Sequence, residues 1–489
     1  MASNQNGEKQ IREWWGGISD DTREQVYTQF AISKHFDSIT YPTRLVPYRS
    51  MEADEDTTFK IKDFAYVGGV FYGLGRNVAD TKNKIYQKTS EISGTWTAST
   101  SGEATGATSA IRGFFAPYQG NLYLYQSGTT VAQYIPATSY TDSFGALGET
   151  ITSVGGWCVH PIADRLFMAY NNNIAQVDGA TFTDQVMVLP ENVSITSMCA
   201  WGDSLAIATK PKSSGEGQSR VYLWNMIDAT PYEVIDWGEE DLIVLENIDS
   251  QLVGVSMTQN SSLYLRQTLF GKTWTGGDVI NFKTIDLGSS VSSAYTLGII
   301  KQLSQNRLYF TLTNSSSSAP FIGIWQLGRK NEQYPFQMTV GYLVNNDTAT
   351  TGATSFYKLG DYMFVAYGTG SVNRTDDTAL YNATSYVETQ IYDGGDSSRL
   401  KKLTGVALTY PVMPAAATVV LKYRKDEETS YTTIATDAVD NNMANLVTAI
   451  AATTSLPSFY QIQFKIEDTG GSDIMELRFK FDVLGSPMD

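Results

Sequence analysis

Basic residues, histidine and cysteine are scarce in this chain. Of 489 residues, 35 are Lys or Arg against 51 Asp or Glu, a net charge of −16. An acidic surface repels phosphate, which argues against sequence-specific nucleic-acid binding but not against DNA passing without sticking. The only histidines are His35 and His160. A His-based triad or a zinc centre needs more imidazole or thiolate close together, so both read as structural residues. The two cysteines, Cys158 and Cys199, each stand near a tryptophan, Trp157 and Trp201. Two thiols in so long a chain make no disulfide framework. They read as small buried residues in equivalent repeat positions, and their usage points to folding in a reducing compartment.

Long apolar runs and helical periodicity are also missing. The opening Met1-Ala2-Ser3-Asn4-Gln5-Asn6 is polar and reads as no signal peptide. Leu403 to Leu421 is uncharged, but Pro411, Pro414 and several Thr make it two strands and a turn, not a membrane span. No Walker loop, dinucleotide loop or basic aromatic patch occurs. The repeated Ser-x-Asp-x-Gly-x-x-Trp box of sialidase blades is absent too. Its nearest match, Gln267 to Trp274, keeps Gly271 and Trp274 but has Gln267 and Leu269 in place of the Ser and the Asp.

What is present is a repeat. Seven times a turn residue is followed by a short apolar-aromatic strand. Gly120-Asn121-Leu122-Tyr123, Asp164-Arg165-Leu166-Phe167 and Asn306-Arg307-Leu308-Tyr309 are examples. The apolar anchors are Val70, Leu122, Leu166, Leu205, Leu263, Leu308 and Met363, spaced 39 to 58 residues apart. That is the scale of one four-stranded propeller blade. Second strands follow the anchors, as in Lys84-Ile85-Tyr86-Gln87 and Arg220-Val221-Tyr222-Leu223-Trp224. Hairpin after hairpin with polar loops is blade grammar. The expected fold is all-β: a β-propeller of seven blades, the anchors in equivalent inner strands, then a C-terminal antiparallel β-sandwich.

Three segments follow. Residues 1–55 read as an N-terminal arm, with Ile11, Trp14 and Trp15 as apolar anchors that need a hydrophobic partner. Its end is marked by the acidic run Glu52-Ala53-Asp54-Glu55-Asp56. Residues 56–385 carry the repeats and form the propeller. Residues 386–489 lose the anchor motif and show period-two strands, as in Ile462, Phe464, Ile466 and Leu477, Phe479, Phe481, Val483. These read as the sandwich, with Asn441 to Thr453 a short helix or loop between strands.

No catalytic, cofactor-binding or metal-ligating set emerges, and the chain reads as no enzyme. Two acidic clusters, Asp236-Trp237-Gly238-Glu239-Glu240-Asp241 and Asp393-Gly394-Gly395-Asp396, offer hard oxygen ligands without the spacing of a calcium loop, so solvated turns are expected. Trp14, Trp96, Trp224, Trp274 and Trp325 are expected to fill cores rather than form a binding row.

The order of parts resembles that of virion proteins of tailed bacteriophages: an arm with Pro42, Leu45, Pro47 and Tyr48, then a propeller, then a small sandwich. Two stretches are similar to phage tail proteins. One is Arg220 to Trp224 with Asp236-Trp237-Gly238 and Leu263-Tyr264-Leu265. The other is Tyr392 to Asp396 with Arg399 to Val406. The closest class is the tail hub or nozzle protein of short-tailed phages. The resemblance implies a homo-oligomeric ring, often a hexamer, around the DNA exit channel, serving DNA retention and ejection. It implies contacts with adaptor, fibre or tailspike proteins, non-specific passage of duplex DNA, contact with the host surface, and residence in the virion after assembly in the bacterial cytoplasm. It carries over no catalytic residue. The rival reading is a lectin- or glycosidase-like propeller acting on glycan, which a central cluster of carboxylates with Arg or Tyr would favour.

Overall fold

The structure is a computed structural model. It describes residues 6–14, 16–19, 29–41, 43–54, 59–77, 83–88, 94–103, 114–126, 128–213, 217–258, 266–289, 294–314, 319, 321–329, 336–342, 353–367, 372–375, 385–411, 413–438 and 456–484. Trp15 and Asn441 to Thr453 lie outside these. Among the described residues every regular element is a strand, and no helix is long and apolar enough to cross a membrane. The chain divides into two compact units, one of residues 51–324 and 344–375, the other of residues 1–50, 325–343 and 376–489. The sequence boundaries at 55 and 385 do not coincide with this division, because the N-terminal residues belong with the C-terminal ones.

The larger unit is a succession of hairpins in a β-propeller arrangement. Six complete four-stranded antiparallel sheets lie within it. Five of them run in strict chain order, over residues 59–103, 116–146, 154–188, 193–238 and 241–289. The sixth takes Ala353–Leu359, Tyr362–Tyr367 and Val372–Thr375, and its outermost strand is Met51–Ala53. A strand from ahead of the first sheet therefore completes the last, so the two ends of the repeat region are tied by backbone hydrogen bonds. The acidic run is thus partly strand. A seventh first-to-second-strand hairpin joins Tyr295–Ser304 to Arg307–Asn314.

Tight turns explain the repeat. Between first and second strands the backbone enters the left-handed region at Gly68-Gly69, Gln119-Gly120, Asp164, Gly202, Asp249-Ser250, Gln305-Asn306 and Gly360. Two-residue turns with positive φ match the twist of antiparallel strands, which is why Gly, Asn and Asp recur there. Five anchors, Leu122, Leu166, Leu205, Leu308 and Met363, sit at the same position, second in the strand after the turn, and none is exposed. Two corrections follow from the register. In the first copy the position is Phe71, because Val67 pairs with Val70 across the turn. In the fifth it is Leu252, because Ile248 pairs with Gln251; Leu263 lies outside the described residues. The anchors also stand in the second strand of each sheet, one place out from the strands that face the central cavity.

The smaller unit holds the short pair Phe36–Asp37 with Val46–Pro47 and two larger sheets. One orders Asn6–Ile11, Glu476–Leu484, Leu400–Thr409 and Ser458–Phe459. The other orders Phe30–Lys34, Ser385–Thr389, Ile462–Thr469, Thr418–Lys425 and Thr432–Asp437. They meet through aromatics: the Phe479 ring lies 4.8 Å from Phe464 and 5.1 Å from Tyr392. The period-two face anticipated for these strands is the buried one. The N-terminal strand pairs along its whole length with Glu476–Leu484. Ile11 and Trp14 are each 1% exposed, with the Trp14 indole N–H donating to the Met475 carbonyl at 3.2 Å. They find their hydrophobic partner in their own chain, so the arm presents no free apolar anchor there.

Candidate functional site

The first strands of all seven hairpins in the larger unit line one cavity of about 510 Å³. Its walls are largely apolar and aromatic, as at Phe64, Trp157 and Tyr357, with Asp63, Ser197, Glu246, Asn247, Lys301 and Gln302 as polar members. A second cavity of about 470 Å³ draws on four of the same strands, at Val154, Ile195, Ile243 and Leu297.

A repeated irregularity shapes this lining. Six of the seven first strands slip register against the second: between Ile61 and Asp63, Val154 and Trp157, Ile195 and Ser197, Leu242 and Val244, Leu297 and Lys301, and Ala353 and Ser355. A bulge re-aims the side chain beside it. Here Asp63, Ser197, Lys301 and Ser355 follow the slip, and each reaches a neighbouring sheet. Ser197 Oγ–H donates to the Leu245 carbonyl and accepts from the Leu245 N–H, both at 3.2 Å. Asp63 is buried, and its carboxylate accepts from Ser355 Oγ at 2.7 Å and from the Phe115 N–H at 2.6 Å. It therefore joins the first sheet to the next and to the last. Burial pushes its pKa up to about 7, against the pull of those hydrogen bonds.

Lys301 is tied in the same way. Its ammonium donates to the Met198 carbonyl at 2.8 Å and to the Leu245 carbonyl, and it pairs with Glu246 at 2.8 Å. Burial works against its charge, but Glu246 outweighs burial and the net direction is up. Gln302 exchanges two hydrogen bonds with the Lys358 backbone, at 2.8 and 2.6 Å. Asn247 donates to the Ala200 carbonyl at 3.1 Å, while its buried Oδ1 has no partner among the described residues. The charged groups of the cavity are thus engaged in ties between sheets. Among the described residues Asp63, Glu246 and Lys301 each have a hydrogen-bond or ion-pair partner.

Of the residues considered from sequence, Cys158 and Cys199 line this cavity, whereas His160 and Gln267 do not. Cys158 and Cys199 are equivalent, pairing with Phe167 and Ala206, the third residues of their second strands. Cys158 packs in the core shared with Met198 and Leu205, Cys199 in the one shared with Leu242 and Leu252. Burial raises both thiols, Cys158 to about 12, so neither is a ready thiolate. His160 is buried; its Nε2–H donates to the Ser204 carbonyl and its Nδ1 accepts from Ala163 N–H, each at 3.2 Å. That is a neutral ring linking two sheets. Gln267 is buried and bridges to the Tyr295 backbone, so the degenerate box is a plain strand.

Most carboxylates of the two acidic clusters are engaged. Asp236 pairs with Arg220 at 2.9 Å, Glu240 with Lys272 at 2.7 Å and Asp241 with Lys210 at 3.1 Å. Asp393 and Asp396 accept from Gly395 N–H at 2.8 Å and Ser398 N–H at 2.9 Å. The Lys401 ammonium fills the carbonyl cage beside them, bonded to Asp396, Arg399 and Tyr460. Among the described residues no group of His, Cys, Asp and Glu is arranged to hold a metal ion.

Asp54, beside the closing strand Met51–Ala53, was not singled out from sequence. It pairs with Lys88, with Arg374 at 2.9 Å and with the Trp96 indole at 3.0 Å. Burial raises its pKa despite these partners. A sequence signal existed for Asp63, a lone carboxylate inside the apolar strand Phe59–Val67, but its partners are distant in sequence.

No protein-family model and no curated protein matches the chain. Solved structures that are similar include the Dos1 propeller, at 11% identity, covering 67% of this chain and 94% of that one with a TM-score of 0.42. The Myceliophteria thermophila Cps50 (Swd1) β-propeller domain follows at 10% identity, 67% and 100% coverage, and a TM-score of 0.43. The computationally designed Ika8 protein has 13% identity, 67% and 99% coverage, and a TM-score of 0.38. Likenesses at such scores carry no weight for function, and the propeller arrangement rests on the sheets themselves.

Proposed function

We propose that the chain is a structural component of a bacteriophage tail, a nozzle- or hub-like ring around the DNA exit channel. In this reading the larger unit is a closed seven-bladed propeller and the smaller one a β-sandwich. The seventh blade is built on the hairpin of Tyr295–Ser304 and Arg307–Asn314. The sandwich is formed by the four- and five-stranded sheets with Phe464 and Phe479 between them.

One observation carries the reading: the charged groups of the central cavity are committed to inter-sheet ties and are not held ready for a substrate. A rigid part under load needs such ties; a glycosidase needs two carboxylates free to act as acid and base or nucleophile. The net charge of −16 supports it further. Few Lys and Arg contacts let duplex DNA slide past without the adhesive, salt-dependent binding that each would add. Adaptor, fibre or tailspike proteins would be the neighbours, in a particle assembled in the host cytoplasm and carried in the virion.

The test is mass photometry of the purified full-length protein, alone and co-expressed with candidate tail proteins. Discrete closed assemblies, near six copies of the 53.8 kDa chain, are expected. A monomer under every condition would remove the ring. Turnover of a bacterial polysaccharide, abolished by one carboxylate substitution, would favour the glycan reading.

A further inference from the structure

His35 occupies an unusual place in the smaller unit. It connects the strand Phe30–Lys34 to the strand Phe36–Asp37 and adopts a left-handed φ of 62°. Residues with a Cβ enter that region at some cost. Its carbonyl accepts the Tyr48 N–H at 2.6 Å, closing a small loop onto the strand Val46–Pro47. The side chain is 1% exposed, and neither ring nitrogen has a hydrogen-bond partner among the described residues. A buried imidazole in that state is tolerable only while neutral.

Among the described residues the carboxylates nearby are already engaged by other partners. On its own segment stand Lys34, of the same sign, and Asp37, whose carboxylate accepts from Ile39 N–H and Thr40 N–H, each at 2.9 Å, and from the Thr40 hydroxyl. From the flanks of Val46–Pro47 come Arg44, paired with Asp473 at 2.8 Å, the exposed Arg49, and Tyr48, stacked on Tyr342 of the strand Gln337–Tyr342. From Ser385–Thr389 come Tyr386 and Glu388, and Glu388 is engaged by Tyr431 at 2.9 Å and Lys465 at 3.4 Å.

We propose that His35 is an acid-sensitive latch: neutral, it holds residues 30–48 in the smaller unit, and protonated, it must leave its burial and release that segment. Burial first, and Lys34 second, draw the imidazole down to about 4 from an ordinary 6.5. The neutral ring's contribution is therefore complete above about 6.5 and is lost as pH falls towards 4. The proposal does not depend on the tail reading.

Hydrogen exchange of the full chain, measured from pH 7.5 to 4.5 and corrected for intrinsic rates, tests it. Protection of residues 30–48 should fall by up to about tenfold per pH unit below 6.5, the slope of one proton. His35→Asn keeps a side chain that accepts positive φ and carries no proton, so its protection should stay level. A level profile in the wild type, or an equally steep one in His35→Asn, overturns the latch. If His35→Asn does not fold, the ring resonances of the wild type decide. With His160→Asn as the assignment control, a His35 titration below 6.5 supports the latch and one at or above 6.5 overturns it.

Discussion

Asp63 is where a single ionisation reaches furthest through the larger unit. Its folded pKa, about 7, lies above the ordinary 3.8. The folded state therefore binds the proton more tightly than the unfolded chain. Stability should fall as pH rises from about 4 to about 7 and level off above. Asp63→Asn should remove that part of the pH dependence, read as the difference between urea midpoints of variant and wild type at each pH. Asp63→Ala should cost more at every pH. It strands the Phe115 N–H and the Ser355 hydroxyl, each an unmet buried group worth about 1–3 kcal/mol. The residue scale was the least legible in sequence. Asp63 and Ser355 are 292 positions apart, and nothing local marks them as partners. Lys301 and Glu246 are likewise joined only by the approach of two sheets.

Elements are far more legible, because a hairpin is a local object. Leu122, Leu166 and Leu308 follow turns whose residues favour positive φ, and alternation then sets which side is buried. The misreading of the fifth copy has the same origin. Its turn, Asp249-Ser250, lacks glycine, whereas Ser261-Ser262-Leu263 imitates the motif. The bulges in the first strands carry no local sequence signature. At one of them a Cβ on Gly155 would lie 2.5 Å from the Ile195 carbonyl oxygen, a backbone atom of the next sheet. Gly155→Ala should therefore destabilise the larger unit by about 1–3 kcal/mol, as overpacking does. In the smaller unit Phe479, 1% exposed, packs on Phe464, Tyr392 and Phe481. Phe479→Ala should cost about 3–5 kcal/mol. A nearly neutral midpoint in equilibrium unfolding would contradict its place in that core.

For the whole molecule, a propeller must resist opening where its chain ends meet. Two devices serve this within the larger unit. The strand Met51–Ala53 completes the last sheet, with Asp54 clamped between Lys88 and Arg374, and polar ties such as Lys301–Glu246 run between first strands. The closing strand was not foreseen: residues 51–53 carry no repeat signature, and their role exists only once the last sheet is three-stranded and lacks an edge partner. Breaking one partner of a buried pair is worse than replacing both. Lys301→Met should cost about 3–5 kcal/mol, and adding Glu246→Gln should restore part of it; equal losses in single and double variants would show that the pair does not act as a unit. We propose a closed array of seven sheets, its axial charges engaged in ties, as one subunit of a ring. A cryo-EM map of the purified full-length protein tests it most directly. The expected result is a symmetric assembly whose subunits each show seven sheets around a channel, with Lys301 density joined to Glu246. An isolated subunit, or an open array with Lys301 and Glu246 apart and facing solvent, would contradict it.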